Sequence, residues 1–385
     1  MSGYGKEGLK TIATLLSGGE GVGVGARAAG LRHLWGLEID DGIAQAARDN
    51  GFNVMTADVL DVDPAGLERP DVLHASPECR NASQAKSNGE ETKADVEVGN
   101  CIVRYVETLR PRVFTLENVY PYRHFEAFER IVTALGRLGY FVHFGNLNAA
   151  DFGVPQTRKR LILRAVHGGL VPMLPPAEPW RGWYEAVEDL IPTLPESRFA
   201  PWQLRLLPEA LHRSAIFSNQ NSHDREGNCY GTVYREEDEP AMTVRKALLG
   251  ARAFIVTGQY GKPSGAVDRP PQVRGGGEPS FTVTASNKGD WRAFVVDGQN
   301  AGSDRITVRD GGSPMFTITN VAKAYPRAWL SEGRVVSVTP RALARLQSFP
   351  DGYELPENKS LASRIVGNAV PPAVYRKIVE AMVER

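Results

Sequence analysis

Between residues 10 and 166 the apolar residues fall into two alternating patterns. Short aliphatic and β-branched runs at 11–16, 33–39, 53–57, 71–75, 113–117, 141–146 and 160–166 predict strands. The stretches 23–29, 42–49, 96–109 and 125–138 space their apolar residues at helical intervals and predict helices. Sustained strand–helix alternation predicts an α/β fold with a doubly wound, mostly parallel sheet. Ligands of such sheets bind at the C-terminal ends of the strands, so the turns that follow strands are where chemistry is sought.

After Pro172 the pattern breaks. Residues 172–183 are rich in Pro and Trp and read as a linker or a wrapped segment. From 217 to 338 the chain has many glycines, short β-type runs and turn signals, and it repeats itself. Glu239-Pro-Ala-Met-Thr-Val244 is echoed by Glu278-Pro-Ser-Phe-Thr-Val283 and Ser313-Pro-Met-Phe-Thr-Ile318. Second echoes follow at Arg252-Ala-Phe, Arg292-Ala-Phe and Arg327-Ala-Trp, which predicts three strand–loop–strand units. Helical patterning returns at 339–347, where Thr339 can cap and Pro340 takes the first helical position, and at 371–384. Three parts are expected: an α/β domain over 1–175, a β-rich insertion over 176–335, and helices over 336–385 that pack back on the first part.

Composition narrows the function classes. The 45 basic and 45 acidic residues cancel, which counts against a nonspecific polycation. A local basic cleft would still suffice for a DNA enzyme. The three cysteines, Cys79, Cys101 and Cys229, form no CxxC pair, so neither a disulfide scaffold nor a zinc site is suggested, and no metal is expected. A reducing, intracellular setting fits best. Residues 1–10 lack a signal-peptide core, and no apolar run approaches the roughly 20 residues of a membrane span. Secretion and membrane insertion are therefore not expected.

Four segments carry candidate chemistry. Leu16-Ser-Gly18-Gly19-Glu20-Gly21-Val-Gly-Val-Gly25 joins a strand to a helix, a turn that suits either a nucleotide-like cofactor or plain tight packing. Glu38 ends the next strand, where nucleotide folds place a ribose-binding acid. Asp58, followed by Val59, ends the third strand; it is either an adenine ligand or a solvated strand-end acid. Ser76-Pro77-Glu78-Cys79-Arg80-Asn-Ala82-Ser83 follows the strand 71–75. A cysteine there sits where active sites form, and Arg80 would favour its thiolate; the alternative is a buried structural cysteine. Glu117-Asn118-Val119 ends the fifth strand with a carboxylate that is a general acid or a helix cap. Gln156-Thr-Arg158-Lys-Arg160, read as strand, aligns three polar side chains on one face, or forms a solvated edge.

In order and spacing these segments resemble the C5-cytosine DNA methyltransferases. Two late segments join them: Val338-Thr-Pro-Arg341 with Leu346-Gln-Ser-Phe-Pro350, and Gly367-Asn368-Ala-Val370-Pro-Pro372. The resemblance covers about 11–166 and 336–383, and the unlike insertion between them occupies the place of that family's target-recognition domain. It implies a class I S-adenosylmethionine-dependent methyltransferase fold. It implies cofactor contacts from Leu16, Gly18, Gly19, Glu20, Gly21, Glu38, Asp58, Val59, Pro77, Asn368 and Val370. It makes Cys79 the nucleophile and Glu117 the acid, with Arg158 and Arg160 holding the cytosine O2 and that acid, and Ser83, Asn118 and Gln156 beside the base. Four positions depart from the family. Glu78 stands where Pro is usual, Arg80 and Ala82 replace Gln and Phe, and Glu20 replaces Gly, where its carboxylate would pair with the ammonium of the methionine end.

The implied reaction is methyl transfer from S-adenosylmethionine to C5 of a cytosine flipped out of duplex DNA. The polar segment 80–92 is expected to close over the base or to be a plain surface loop. Between 181 and 335 there are 15 Arg and 4 Lys, and Arg matches the guanine edge, so the insertion is expected to read sequence or, failing that, to mediate oligomerisation. A monomer acting on DNA in the cytoplasm of a bacterial or phage-infected cell is expected, with a cognate restriction endonuclease as a partner left open. Methylation of tRNA and a non-catalytic DNA-binding subunit are the competing readings.

Overall fold

The computed structural model describes residues 8–78, 90–183, 185–196 and 339–383, together with the backbone of short strands between 251 and 337. The first part forms a seven-stranded sheet: β1 (Thr11–Leu15), β2 (Arg32–Glu38), β3 (Val54–Thr56), β4 (Val72–Ala75), β5 (Val113–Asn118), β6 (Tyr140–Asn148) and β7 (Lys159–His167). Their order is β3-β2-β1-β4-β5-β7-β6, parallel except for β7, which runs antiparallel to both neighbours. Central β4 and β5 are buried at every position, as strands covered on both faces must be. Edge strand β6 instead leaves Phe141 and Phe144 exposed.

Helices α1 (Gly21–Ala28), α2 (Asp41–Asp49), α3 (Lys93–Leu109) and α4 (Glu126–Arg137) connect these strands. Asp40 caps α2 by accepting from the Ile43 N–H. Thr92 and Asp95 form a reciprocal capping box on α3, which explains why that helix starts three residues ahead of the predicted 96. Glu91, just before it, accepts from the first two N–H groups of α4. Gly99 lets α3 lie against α4, since a Cβ there would come within 2.7 Å of the Ala127 Cβ.

Three helices end the chain: α5 (Pro340–Leu346), α6 (Lys359–Asn368) and α7 (Pro372–Val383). Helix α6 escaped the sequence reading, although Asn358 caps it through the N–H groups of Ser360 and Leu361. Helix α5 packs on α6, α6 on α2, and α7 on α1 and the sheet. The aliphatic face of α7 shares a core cluster with β1, β4, β5 and α1. The approach of α1 to α7 is backbone to backbone: a Cβ on Gly25 would stand 2.4 Å from the Pro372 carbonyl oxygen and 3.0 Å from the Arg376 nitrogen.

Segment 172–196 wraps back over this domain. Trp180 Nε1 donates to Asp151 at 2.8 Å, Arg164 reaches the Pro172 carbonyl at 2.6 Å, and Trp183 is buried. Arg345 in α5 pairs with Asp351 at 2.6 Å and also with Asp189, which ties the chain entering the insertion to the chain leaving it. Within the insertion, Phe294–Gly298 pairs antiparallel with Ala251–Arg252 and with Arg327–Trp329. These strands include Arg252, Phe294 and Arg327–Trp329 of the second echoes, and the rest of the first two of these echoes lies outside the described residues. The first echoes, 239–244, 278–283 and 313–318, lie outside the described residues.

The close α1–α7 contact predicts that Gly25→Ala destabilises the protein by about 1–3 kcal/mol, because backbone rather than a flexible side chain must move. Gly136, exposed in α4 with no atom within 4 Å of an added Cβ, is the control. Gly136→Ala is expected to stabilise by about 0.5–1 kcal/mol. Denaturant midpoints of the two variants would check both signs.

Candidate active site

The strand order reverses between β1 and β4, so the chains leaving their C-terminal ends diverge and open a crevice. The turn after β1 is held in an unusual backbone. Leu16, Gly18 and Glu20 all have positive φ, at 53°, 55° and 57°. The Ser17 N–H donates to the Leu37 carbonyl at 2.9 Å, and the Glu20 N–H to the Ser17 carbonyl at 3.1 Å. Gly18 has open space where a side chain would stand, so its backbone faces outward.

Glu38, at the end of β2, organises the crevice. Its carboxylate accepts from the Gly18 N–H at 2.9 Å and, through the other oxygen, from the Asp40 N–H at 2.9 Å. Burial raises its pKa above the ordinary carboxylate value, and backbone donors at Asp40, Gly18 and Ile39 act against that rise. The Gly18 and Asp40 bonds take one lone pair on each oxygen, which leaves lone-pair capacity for a hydroxyl. Beside it the Ile39 side chain is 67% exposed, an apolar surface that the sequence reading missed. Its signal was available: an aliphatic residue just past a strand-end acid. Asp58 is half-buried and accepts from the Leu60 N–H at 2.9 Å. Outward backbone, a hydroxyl-accepting acid, an apolar shelf and a second acid fit a nucleoside-bearing cofactor.

Val59 is buried; its carbonyl accepts from Tyr105 and from the Cys101 thiol, both at 3.2 Å. Burial raises the Cys101 pKa, so this cysteine is a poor nucleophile.

Glu20 does not take the expected role. Its side chain is fully buried, bonded to the Thr14 hydroxyl and 3.1 Å from His33 Nε2. The positive φ turns the carboxylate inward, against Gly23 and Gly36, so it is not presented to an ammonium group in the crevice. Only the backbone of Glu20 belongs to the turn. Gly19 and Gly21 serve packing: a Cβ on Gly19 would meet Ile365 at 2.3 Å, and one on Gly21 would meet the Val370 carbonyl oxygen at 2.4 Å. Val370 is therefore buried beneath the turn, while Asn368 beside it is exposed.

The chain leaving β4 is pinned. The Ser76 N–H donates to the Leu15 carbonyl at 3.2 Å, and Asn118 Nδ2 donates to the carbonyl of buried Pro77 at 3.0 Å. Glu78 is exposed. Cys79 and Ser83 lie outside the described residues, as does most of 80–92. At the end of neighbouring β5, Glu117 is nearly buried and meets Arg160 of β7, with Nε 3.0 Å from Oε1. The antiparallel register of β5 on β7 brings these two strand ends together. Next to them Arg123 stacks 3.7 Å over exposed Tyr120, a pair the sequence reading also missed.

Gln156 and Arg158 do not share a face with Arg160. Strand β7 begins at Lys159, so the two-residue alternation does not extend back to them. Arg158 is buried and donates to the Gly367 carbonyl at 3.0 Å and the Asn368 carbonyl at 3.5 Å. It thereby satisfies the carbonyls that the end of α6 leaves without helical partners. Gln156 is fully buried and donates to the side chain of Gln347, which donates in turn to the carbonyls of Val366 and Ala369. Among the described residues both side chains are bonded to the terminal helices, whereas Arg160 meets Glu117.

Comparison with known proteins agrees with this layout. The family described as C-5 cytosine-specific DNA methylase matches residues 10–384. Type II methyltransferase M1.HphI of Haemophilus parahaemolyticus is 26% identical over 388 residues, covering 97% of this chain and 87% of that protein. DNA (cytosine-5)-methyltransferase 1 of Mus musculus is 32% identical over 191 residues, which are 43% of this chain and only 12% of that longer protein. Among solved structures, the methyltransferase EhMeth of Entamoeba histolytica superposes with a TM-score of 0.55 at 12% identity, covering 97% of this chain and 98% of that one. DNMT2 of Spodoptera frugiperda gives 0.53 at 14%, covering 97% and 100%. At those identities the structural likeness speaks for the fold alone, the class I methyltransferase sheet. The match over nearly the whole length decides the family: the chain belongs to the C-5 cytosine-specific DNA methylases, for which S-adenosylmethionine is the methyl donor.

Proposed function

We propose that this protein methylates C5 of cytosine in duplex DNA, with Cys79 as the covalent nucleophile. The observation that carries this reading is the Glu117–Arg160 pair at the end of β5, beside the strand whose continuation through Pro77 leads to Cys79. Gly18, Glu38, Ile39 and Asp58 would hold S-adenosylmethionine, which supplies an electrophilic methyl group.

Cytosine C5 is a poor nucleophile until C6 is attacked. The Cys79 thiolate forms a sulfur–carbon bond at C6, and the ring electrons move toward N3. Glu117 stabilises that charge by protonating or hydrogen-bonding N3, a general-acid role. Arg160 orients the Glu117 carboxyl group and can donate to O2. C5, now enamine-like, takes the methyl group. Loss of the C5 proton to water then expels the thiolate and restores the C5–C6 double bond. C6 is inaccessible inside a duplex, so the base is flipped out, at a cost of about a few kcal/mol. Arg160 takes the substrate role here; Arg158 and Gln156 keep the structural one.

The arginine-rich insertion favours a duplex reader over a tRNA reader, because guanidinium groups match guanine O6 and N7 in the major groove. Methyl incorporation into unmethylated genomic duplex and into tRNA separates the two: the duplex should be labelled and tRNA should not. Bisulfite sequencing of DNA from expressing cells would then reveal the target sequence.

Cys79→Ser should abolish both methylation and trapping on 5-fluorocytosine DNA, where fluorine blocks the elimination step. A serine variant as active as the parent would sink the covalent mechanism. Glu117→Gln should lower kcat by roughly 10²–10⁴-fold with DNA affinity retained, as loss of a general acid does. Arg158→Met should act differently, lowering stability by roughly 1–3 kcal/mol because buried carbonyls lose their donor. Its turnover per folded molecule should stay near that of the parent. Paired thermal melts and active-site titrations would show the contrast.

A further inference from the structure

One group of buried polar side chains has no part in the reaction above, yet ends beside it. His74 of β4 lies almost wholly inside the protein. Its Nδ1 is 2.8 Å from the Thr115 hydroxyl of β5, and its Nε2 is 2.8 Å from the Ser76 hydroxyl. The Thr115 hydroxyl is in turn 2.9 Å from the Tyr375 hydroxyl of α7. The His74 and Tyr375 rings also meet edge to face, with centroids 5.1 Å apart. His74 and Thr115 are direct cross-strand partners in the β4–β5 register, so the sheet itself sets them together. Three hydroxyls and one imidazole thus form a continuous relay from the last helix to the exit of β4.

Burial pushes the His74 pKa down to about 3, so the ring is neutral at working pH. A neutral imidazole has one donor and one acceptor nitrogen, and each hydroxyl has one proton. The ring therefore donates from one nitrogen and accepts at the other, and a hydroxyl on each side can meet either role. Removing the Thr115 hydroxyl leaves His74 Nδ1 without its partner, so the ring that holds Ser76 through Nε2 is no longer fixed from its other side. Ser76 stands three residues ahead of Cys79 in sequence. Its backbone is held by Leu15, and the next carbonyl by Asn118, so the relay supplies the third restraint on this short segment.

We propose that His74 and Thr115 are positioning residues for the nucleophile: through Ser76 their relay fixes the direction in which the chain leaves β4 toward Cys79. The inference rests on Cys79 being the nucleophile, as proposed above. A histidine that merely fills the core would affect stability alone. The test uses the full-length protein and amplified duplex DNA carrying 5-fluorocytosine in place of cytosine, with S-adenosylmethionine present. Adduct formation is timed for the parent, Thr115→Val and Thr115→Ser. Affinity for S-adenosylhomocysteine, KM for unmodified duplex and melting temperature are measured alongside.

Thr115→Val keeps the shape and removes the hydroxyl. It should slow adduct formation and kcat roughly ten- to a hundredfold, the scale of a displaced reacting group, with cofactor affinity and KM changed by less than about twofold. Thr115→Ser should recover most of the rate. An unimpaired Thr115→Val, or one whose rate and cofactor affinity fall together, overturns the proposal. So does a Thr115→Ser as slow as the valine variant at parental melting temperature. If Thr115→Val does not fold, Ser76→Ala at the half-buried end of the relay carries the same expectation and the same overturning results. A parent protein that forms no adduct defeats the mechanism underneath; a parent that forms it normally beside an unimpaired Thr115→Val defeats only the relay.

Discussion

The catalytic domain depends on one close approach: the packing of the last helices against the Gly-rich turn and α1. A sheet built from residues 8–167 leaves one side of α1 to be covered, and the cover comes from the far end of the chain. At Gly25 and Gly21 the two segments come so near that a single methyl group would collide with backbone. Interiors packed to that density do not deform gradually. The same contact sets the floor of the cofactor crevice, because Val370 lies beneath the turn and Tyr353 donates to the Gly19 carbonyl at 2.6 Å. Arg158 and Gln156 reinforce it from the β7 side.

Two kinds of charge placement follow from this frame. Glu117 and Arg160 meet at the C-terminal end of β5, in the row of strand ends where ligands of such sheets bind. Glu20 is enclosed between β1, β2 and α1, with one oxygen bonded to Thr14 and His33 and the other without a hydrogen-bond partner among the described residues. A carboxylate enclosed in this way serves the packing of the turn, so two carboxylates at the same end of one sheet differ in kind. Cys101 shows the same principle among thiols: burial makes it an unreactive neighbour of the sheet.

Much of this was legible before the fold was known. The strands of the sheet could be read because each is a short apolar run bounded by turn residues, and strand ends place Glu38, Glu117 and Arg160 at one edge. Gln156 and Arg158 misled because the period of two holds only inside a strand, and β7 starts one residue too late. Glu20 misled because a positive φ cannot be read from a glutamate. Helix α6 was hidden by its serines, glycine and asparagine, although its asparagine cap was visible. His74 read as one more buried strand residue, since its partners lie 41 positions away in β5 and, through Thr115, a further 260 away in α7.

Arg345 clasps Asp189 on the way into the insertion and Asp351 on the way out. Both anchor points of the intervening chain are thus fastened to the same helix. For a loop whose ends are already joined, the entropic cost of extra length grows only logarithmically, about 0.6 kcal/mol for each doubling. The stability of the methylating part is therefore nearly indifferent to how long or how different the intervening segment is. Such a chain can accept an intervening segment of unlike size while the helix that clasps its ends stays in place.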